Sequence, residues 1–175
     1  MEEKKMKSSL FKKIAVVALA AVVTLSSVGT QAAAKGSGYK FKNKGVTIQI
    51  DSAAKTFINK AGKPEKTTVK KSCAYKGKDR TYQYKNFILG TYSKTANGAE
   101  FVQSITFRTA SVKTAEGIKI GSAEKDVVAK YGKKYDPTIL AINNIYVYKK
   151  GNCTLQIQVK SGKVKNIRYL QTKVK

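Results

Sequence analysis

Two serines stand where a nucleophile could be sought. Ser52 opens the run Ser52-Ala53-Ala54-Lys55 and Ser122 opens Ser122-Ala123-Glu124-Lys125, so each hydroxyl has a lysine close by in sequence. The chain contains no histidine, and the usual base for a serine proton is therefore missing. Both serines stand between an apolar strand-like run and a helical periodicity. An N-cap hydroxyl there accepts from the free amides of the first helical turn, and that role accounts for both. Acid–base work would need two carboxylates held near each other. Beyond residue 34 the acids are Asp51, Glu65, Asp79, Glu100, Glu116, Glu124, Asp126 and Asp136. Glu124 and Asp126 are two apart on a helix, do not face each other, and read as partners of its dipole. Asp51 stands where the second run has Gly121, which indicates turn geometry. Zinc needs more nitrogen and sulfur ligands than two cysteines supply, and no glycine-rich phosphate loop is present. The expectation is a protein that is not an enzyme, with no catalytic residue, no metal and no cofactor.

The elements around those serines repeat. Ile48 to Lys63 and Ile118 to Lys133 both obey I-x-I-[DG]-S-A-x-K-x-[FV]-[IV]-x-K-x-G-K, and an internal repeat outranks other signals in deciding a fold. Each copy reads as a short strand, a turn, a helix and a glycine stop at Gly62 or Gly132. Ala53, Phe57 and Ala61, with Ala54 and Ile58, make the buried stripe of the first helix; Ala123, Val127 and Tyr131, with Val128, make that of the second.

Alternating strands follow each helix. After a basic connector, Lys66 to Lys71, come strands at Ser72 to Tyr75, Arg80 to Tyr84, Phe87 to Tyr92 and Glu100 to Arg108. A hairpin loop at Lys85-Asn86 puts Tyr84 opposite Phe87 and Tyr82 opposite Leu89, and Asn97-Gly98 marks a turn. Phe101, Ile105 and Phe107 are expected on the inner side. After Asp136-Pro137, strands at Ile145 to Tyr148, Cys153 to Lys160 and Val164 to Leu170 repeat the plan, and a three-residue loop at Ser161-Gly162-Lys163 would let Ile167 face Ile157. Tyr82, Tyr84, Tyr146 and Tyr148 read as core tyrosines with hydroxyls at the rim. The outward face would present Tyr92, Thr106, Arg108, Gln156, Gln158, Lys160 and Arg168, the candidate binding residues. The predicted fold is α+β, a tandem repeat of one helix plus a three- to four-stranded antiparallel sheet. Helices would cover one face and leave the other open.

Residues 1–34 carry five lysines in a charged n-region, a continuously apolar run from Ile14 to Val23, and Ala32-Ala33-Ala34. That is a secretory signal peptide cleaved after Ala34 or Ala32; a run of about ten apolar residues is short of the ~20 that span a bilayer. The lysine-rich n-region is similar to those of Gram-positive bacteria. Residues 35–45 form a lead segment, 46–110 the first repeat and 111–175 the second. Without residues 1–34 the chain keeps 30 basic and 8 acidic residues, a net charge of +22. Such a surface attracts polyanions in a salt-dependent way. Outside the cell these are teichoic acids, anionic lipid surfaces and released nucleic acid, and nothing in the chain resembles a specific nucleic-acid module. Cys73 and Cys153, in an exported chain, are expected as one disulfide. It would close a loop of about eighty residues and contribute roughly 4 kcal/mol.

The segment G-I-x-I-G-S-x-x-x-D-V-x-x-x-Y-G from Gly117 to Gly132, duplicated and followed by an antiparallel meander, resembles the tandem-repeat fold of the beta-lactamase inhibitor protein. It is also similar to the single unit of the SmpA/OmlA lipoproteins of outer-membrane assembly. The pattern S-C-A-Y-x-G-x-D-x-x-Y-x-Y at Ser72 to Tyr84 resembles a group of uncharacterised exported proteins of gut clostridia. The resemblance implies the fold over Val46 to Leu170 and an open sheet face that grips a partner. The expected function is a secreted, non-enzymatic binding module that engages a protein or an anionic envelope polymer through its basic open face. The alternative is a proteinaceous inhibitor of a secreted or envelope enzyme.

Overall fold

The computed structural model describes residues 38–172; the expected signal peptide lies outside them. The chain opens with a hairpin of β1 (Phe41–Asn43) and β2 (Val46–Ile48). Then come α1 (Lys55–Ala61), β3 (Lys66–Lys71), β4 (Lys78–Gln83), β5 (Phe87–Ser93) and β6 (Glu100–Phe107). The remainder is α2 (Glu124–Tyr131), α3 (Pro137–Asn143), β7 (Ile145–Lys150), β8 (Cys153–Lys160) and β9 (Lys163–Gln171). Strands β3 to β9 form one antiparallel sheet in the order β3-β4-β5-β6-β9-β8-β7. The fold is α+β, as the periodicities predict.

One face of the sheet is the core face. Leu89, Ile105, Leu155, Ile157, Ile167 and Tyr169 pack there against Phe57 of α1, Val127 of α2 and Phe41 of β1. The hairpin parity of the first half is as expected, with Tyr82 opposite Leu89 and the Tyr84 amide bonded to the Phe87 carbonyl. Tyr146 and Tyr148 are buried on the same face.

Two bulges correct the expected alternation. Gly90 pairs with Ser104 but Thr91 pairs with Val102, leaving Gln103 as an extra residue in β6. The inward set is therefore Val102, Ile105 and Phe107, while Phe101 lies on the other face beside Tyr92, ring centroids 5.6 Å apart. In β9, Lys165 is the extra residue, and Val164, Ile167 and Tyr169 point inward. Ile167 does face Ile157, yet the β8–β9 loop holds two residues, Ser161 and Gly162, not three. Their φ angles of 52° and 67° suit a tight hairpin of the I′ kind. The bulge, which adds one residue to one strand of a pair, restores the facing that a longer loop was expected to supply.

The serines are not helix caps. Residues 51–54 lie alongside β6 and bond to it: the Asp51 amide donates to the Val102 carbonyl (2.8 Å), the Val102 amide to the Ser52 carbonyl (2.9 Å), and the Ala54 amide to the Glu100 carbonyl (2.9 Å). Residues 121–124 do the same along β9, with Gly121 to Val164 (2.8 Å), Val164 to Ser122 (2.9 Å) and Glu124 to Gly162 (2.9 Å). α1 starts directly after the first strip and α2 at the last residue of the second, with Ala54 and Ala123 as the N-caps and no side-chain cap. Ser52 Oγ instead accepts from the Gln49 amide (3.1 Å) and donates to the Gln49 carbonyl (2.7 Å), and Ser122 Oγ accepts from the Lys119 amide (3.0 Å). They staple the turn before the strip. The side-chain cap belongs to Asp136, whose carboxylate accepts from the Thr138 and Ile139 amides at the start of α3.

Two further expectations are overturned by the sheet order. The "connector" Lys66 to Lys71 is the edge strand β3, and Ser72 to Tyr75 is the bend that follows it. Cys73 and Cys153 are both free. Five strand steps separate β3 from β8, roughly 24 Å at about 4.8 Å per step, whereas a disulfide needs Cα atoms within about 7 Å. Burial pushes the Cys153 thiol up to about 11, so little thiolate exists at pH 8. Native protein should accordingly react with a thiol reagent once, at the exposed Cys73, and twice only in denaturant. An absence of reactive thiol under both conditions would restore the disulfide.

Candidate binding face

The sheet face turned away from the helices carries one register row across six strands: Gln83, Ile88, Thr106, Arg168, Gln156 and Val147. In the next row Gln158 faces Asn166 on one side and Ile145 on the other. Ile145, Gln156, Gln158, Asn166 and Arg168 line a cleft of about 220 Å³. Three of the seven expected binding residues, Gln156, Gln158 and Arg168, thus share one cavity. Thr106 stands beside Arg168 in register, and Lys160 is exposed at the β8–β9 hairpin.

Two of the seven are not available to a ligand there. Arg108 Nη1 donates to Glu65 Oε2 (2.7 Å) and to the Tyr84 carbonyl (2.6 Å), which draws the guanidinium to the corner beyond β4. Tyr92 is only 4% exposed. Tyr75 stacks on its ring at 4.8 Å between centroids, and its hydroxyl donates to Asp51 (3.0 Å).

Asn166 and Ile145 are the lining residues that sequence reasoning missed. Asn166 stands two residues before Arg168 and just past the extra residue Lys165, so alternation counted back from Arg168 would have found it. Ile145 follows Asn144, the left-handed end of α3 (φ 55°), and an outward apolar residue there has no periodic signature.

The cleft has no carboxylate in its lining. Arg168 offers a fork of N–H donors, and Gln156, Gln158 and Asn166 offer amides that both donate and accept. That set can hold an anionic oxygen group with hydroxyls on its flanks.

A separate polar cluster surrounds Asp51, in the turn after β2, with partners from β5, the β7–β8 turn and the end of β9. Asp51 is 6% exposed and holds φ 66°. Its carboxylate accepts from Tyr92 Oη (3.0 Å), Gln171 Nε2 (2.6 Å) and Asn152 Nδ2. Gly121, at the corresponding turn, has φ 91°, so the left-handed backbone is common to both turns and the carboxylate is specific to the first. Turn geometry explains the position; the hydrogen bonds explain the aspartate.

The rim tyrosines are hydrogen-bond donors. Tyr82 Oη lies 2.9 Å from Glu100 Oε2, Tyr146 Oη 2.8 Å from Glu124 Oε1 and Tyr148 Oη 3.1 Å from the Gly132 carbonyl. Burial first, and the adjoining carboxylate second, pushes Tyr82 and Tyr146 up to about 12. Both phenols stay protonated at neutral pH; Tyr82 ties β4 to the start of β6, and Tyr146 ties β7 to the start of α2.

No protein-family model matches the chain, and no curated protein matches it. Among solved structures, a cysteine-rich secretory protein from Staphylococcus aureus is similar over 68% of this chain at 19% sequence identity and a TM-score of 0.46. The match spans 43% of that protein, less than half of its length.

Proposed function

We propose that the chain is a secreted, non-enzymatic binding module whose open strand face engages an anionic polymer of the cell envelope, with a protein as the other partner class. The observation that supports this reading best is the cleft around Arg168, a cationic fork among three amides with no competing acid. The charge balance supports it too, because a surface of net charge +22 beyond residue 34 draws polyanions from a distance. Export through the apolar leader and a duplicated helix-plus-sheet unit belong to the same reading. The matching hydrogen bonds of residues 51–54 and 121–124, and the extra residues Gln103 and Lys165 one step after Val102 and Val164, support the duplication.

The test is retention of the protein on isolated envelope at two salt concentrations, with Arg168→Gln beside the parent. Removing one charge-assisted contact worth ~1.5 kcal/mol should weaken binding about tenfold. Modest salt should weaken the parent further, because counterion release dominates such contacts. Salt-resistant capture of a single protein would move the reading to an inhibitor of a secreted or envelope enzyme. Equal retention of parent and variant would remove the cleft from the account.

A further inference from the structure

A second cationic feature lies away from the Arg168 cleft, at the end of the β3–β4 hairpin. Lys71 pairs directly with Lys78 in the β3–β4 register, and like charges facing each other across two strands repel. Lys70 and Lys76 join them around a pocket of about 280 Å³ that has no carboxylate in its lining. The ion pairs among the described residues join Arg80 to Glu100 and Arg108 to Glu65, and neither engages one of these lysines. Asp79, opposite Lys70 in register, is not part of the lining. Asp79 thus stands across from Lys70, while Lys71 and Lys78 face each other with no carboxylate in the lining.

The backbone beneath it is tightly held. The Ser72 amide donates to the Gly77 carbonyl (3.0 Å), and Ser93, fully buried on β5, accepts from the Lys78 amide through its hydroxyl (3.0 Å). A Cβ on Gly77 would lie 1.9 Å from the Ser93 carbonyl oxygen, so only glycine lets the bend press against β5. Val69, 52% exposed, also lines the pocket and is one of the large apolar side chains left at the surface. Four lysines at the end of one hairpin, two on β3, one in the bend and one on β4, beside one apolar side chain suit a ligand that alternates anionic groups with short carbon units.

We propose that Lys70, Lys71, Lys76 and Lys78 form a phosphate-binding pocket that docks a linear polymer of phosphodiester-linked polyols. An anion placed between Lys71 and Lys78 turns their mutual repulsion into two attractions, and the carbon unit beside it covers Val69. This shares the partner class proposed above but places its contact on a different surface.

The experiment measures binding of poly(glycerol phosphate) at low salt to the parent, to K71Q/K78Q, to K113Q/K133Q as an equal charge loss elsewhere, and to R168Q. K71Q/K78Q should bind about tenfold more weakly and show a shallower dependence on salt, while its Tm in the absence of polymer rises because the facing pair is gone. K113Q/K133Q should stay within about threefold of the parent, since only diffuse attraction is lost. An equal loss in K113Q/K133Q, no loss in K71Q/K78Q, or a lowered Tm in K71Q/K78Q would each overturn the pocket. Binding of phosphatidylglycerol vesicles through these lysines, without binding of the polymer, would overturn the polymer as the ligand. Loss in R168Q alone would leave the strand face standing and remove this pocket; loss in K71Q/K78Q alone would do the reverse.

Discussion

Replacing Phe41 by alanine should cost about 3–5 kcal/mol, the usual range for deleting a buried phenyl ring. Phe41 is fully buried and its ring lies 5.4 Å from Phe87, 5.4 Å from Phe107, 5.9 Å from Phe57 and 6.3 Å from Tyr169. Those partners come from α1, β5, β6 and β9, so the β1 residue joins the helix to three strands of the sheet. Against a total of roughly 5–15 kcal/mol for a domain of this kind, the loss would leave the chain marginal or unfolded at 37 °C. Urea unfolding checks it, with Lys42→Ala as the exposed neighbour that should shift by no more than about 0.5 kcal/mol. A loss below about 1 kcal/mol at Phe41 would mean that the β1–β2 hairpin only leans on the core.

Asp51→Ala should be nearly as damaging, at about 3 kcal/mol or more, for two separable reasons. The carboxylate is the acceptor for Tyr92, Asn152 and Gln171, and a buried donor left without a partner costs about 1–3 kcal/mol. The backbone also holds φ 66°, which a Cβ-bearing residue without a polar side chain pays for with about 1–2 kcal/mol. Asp51→Gly removes the first contribution's acceptor but not the backbone's comfort, and should be about 1 kcal/mol less harmful than Asp51→Ala. Equal losses in the two variants would locate the whole effect in the hydrogen bonds. Chemical denaturation of the three proteins side by side distinguishes the cases.

The parts of the fold legible in the sequence are those where one strand face is buried and the other solvated. Cys153 to Lys160 shows it most cleanly: Leu155, Ile157 and Val159 are buried while Gln158 and Lys160 are exposed. Strand β3 escaped notice because none of its six residues is buried, so its side chains alternate between two wet surroundings. The bulge at Gln103 shifts parity by one residue without changing composition, which is why Phe101 was expected inward. Ser52 and Ser122 have the residue type and spacing of caps, but adjacent strands already take the amides that define those strips. Asp136 followed by Pro137 did carry a helix-start signal, and it marks α3. The disulfide depended on strand order, which two cysteine positions in a line of text do not contain. On the candidate face, Gln156, Gln158 and Arg168 were legible by alternation alone. Arg108 and Tyr92 were not, because a carboxylate and a tyrosine from distant segments claim them.

Among the described residues the sheet ends in two strands, β3 and β7, each with one rim unmatched by another strand. Lys66, Lys70 and Lys71 line the first, and Lys149 and Lys150 finish the second. Open rims of this sort are templates on which copies of a protein zip together into aggregates, and lysine is a common guard against it. At low ionic strength two molecules approaching rim to rim meet positive charge on both sides. Added salt weakens that guard, so the solubility of the protein depends on its ionic surroundings as well as on its fold.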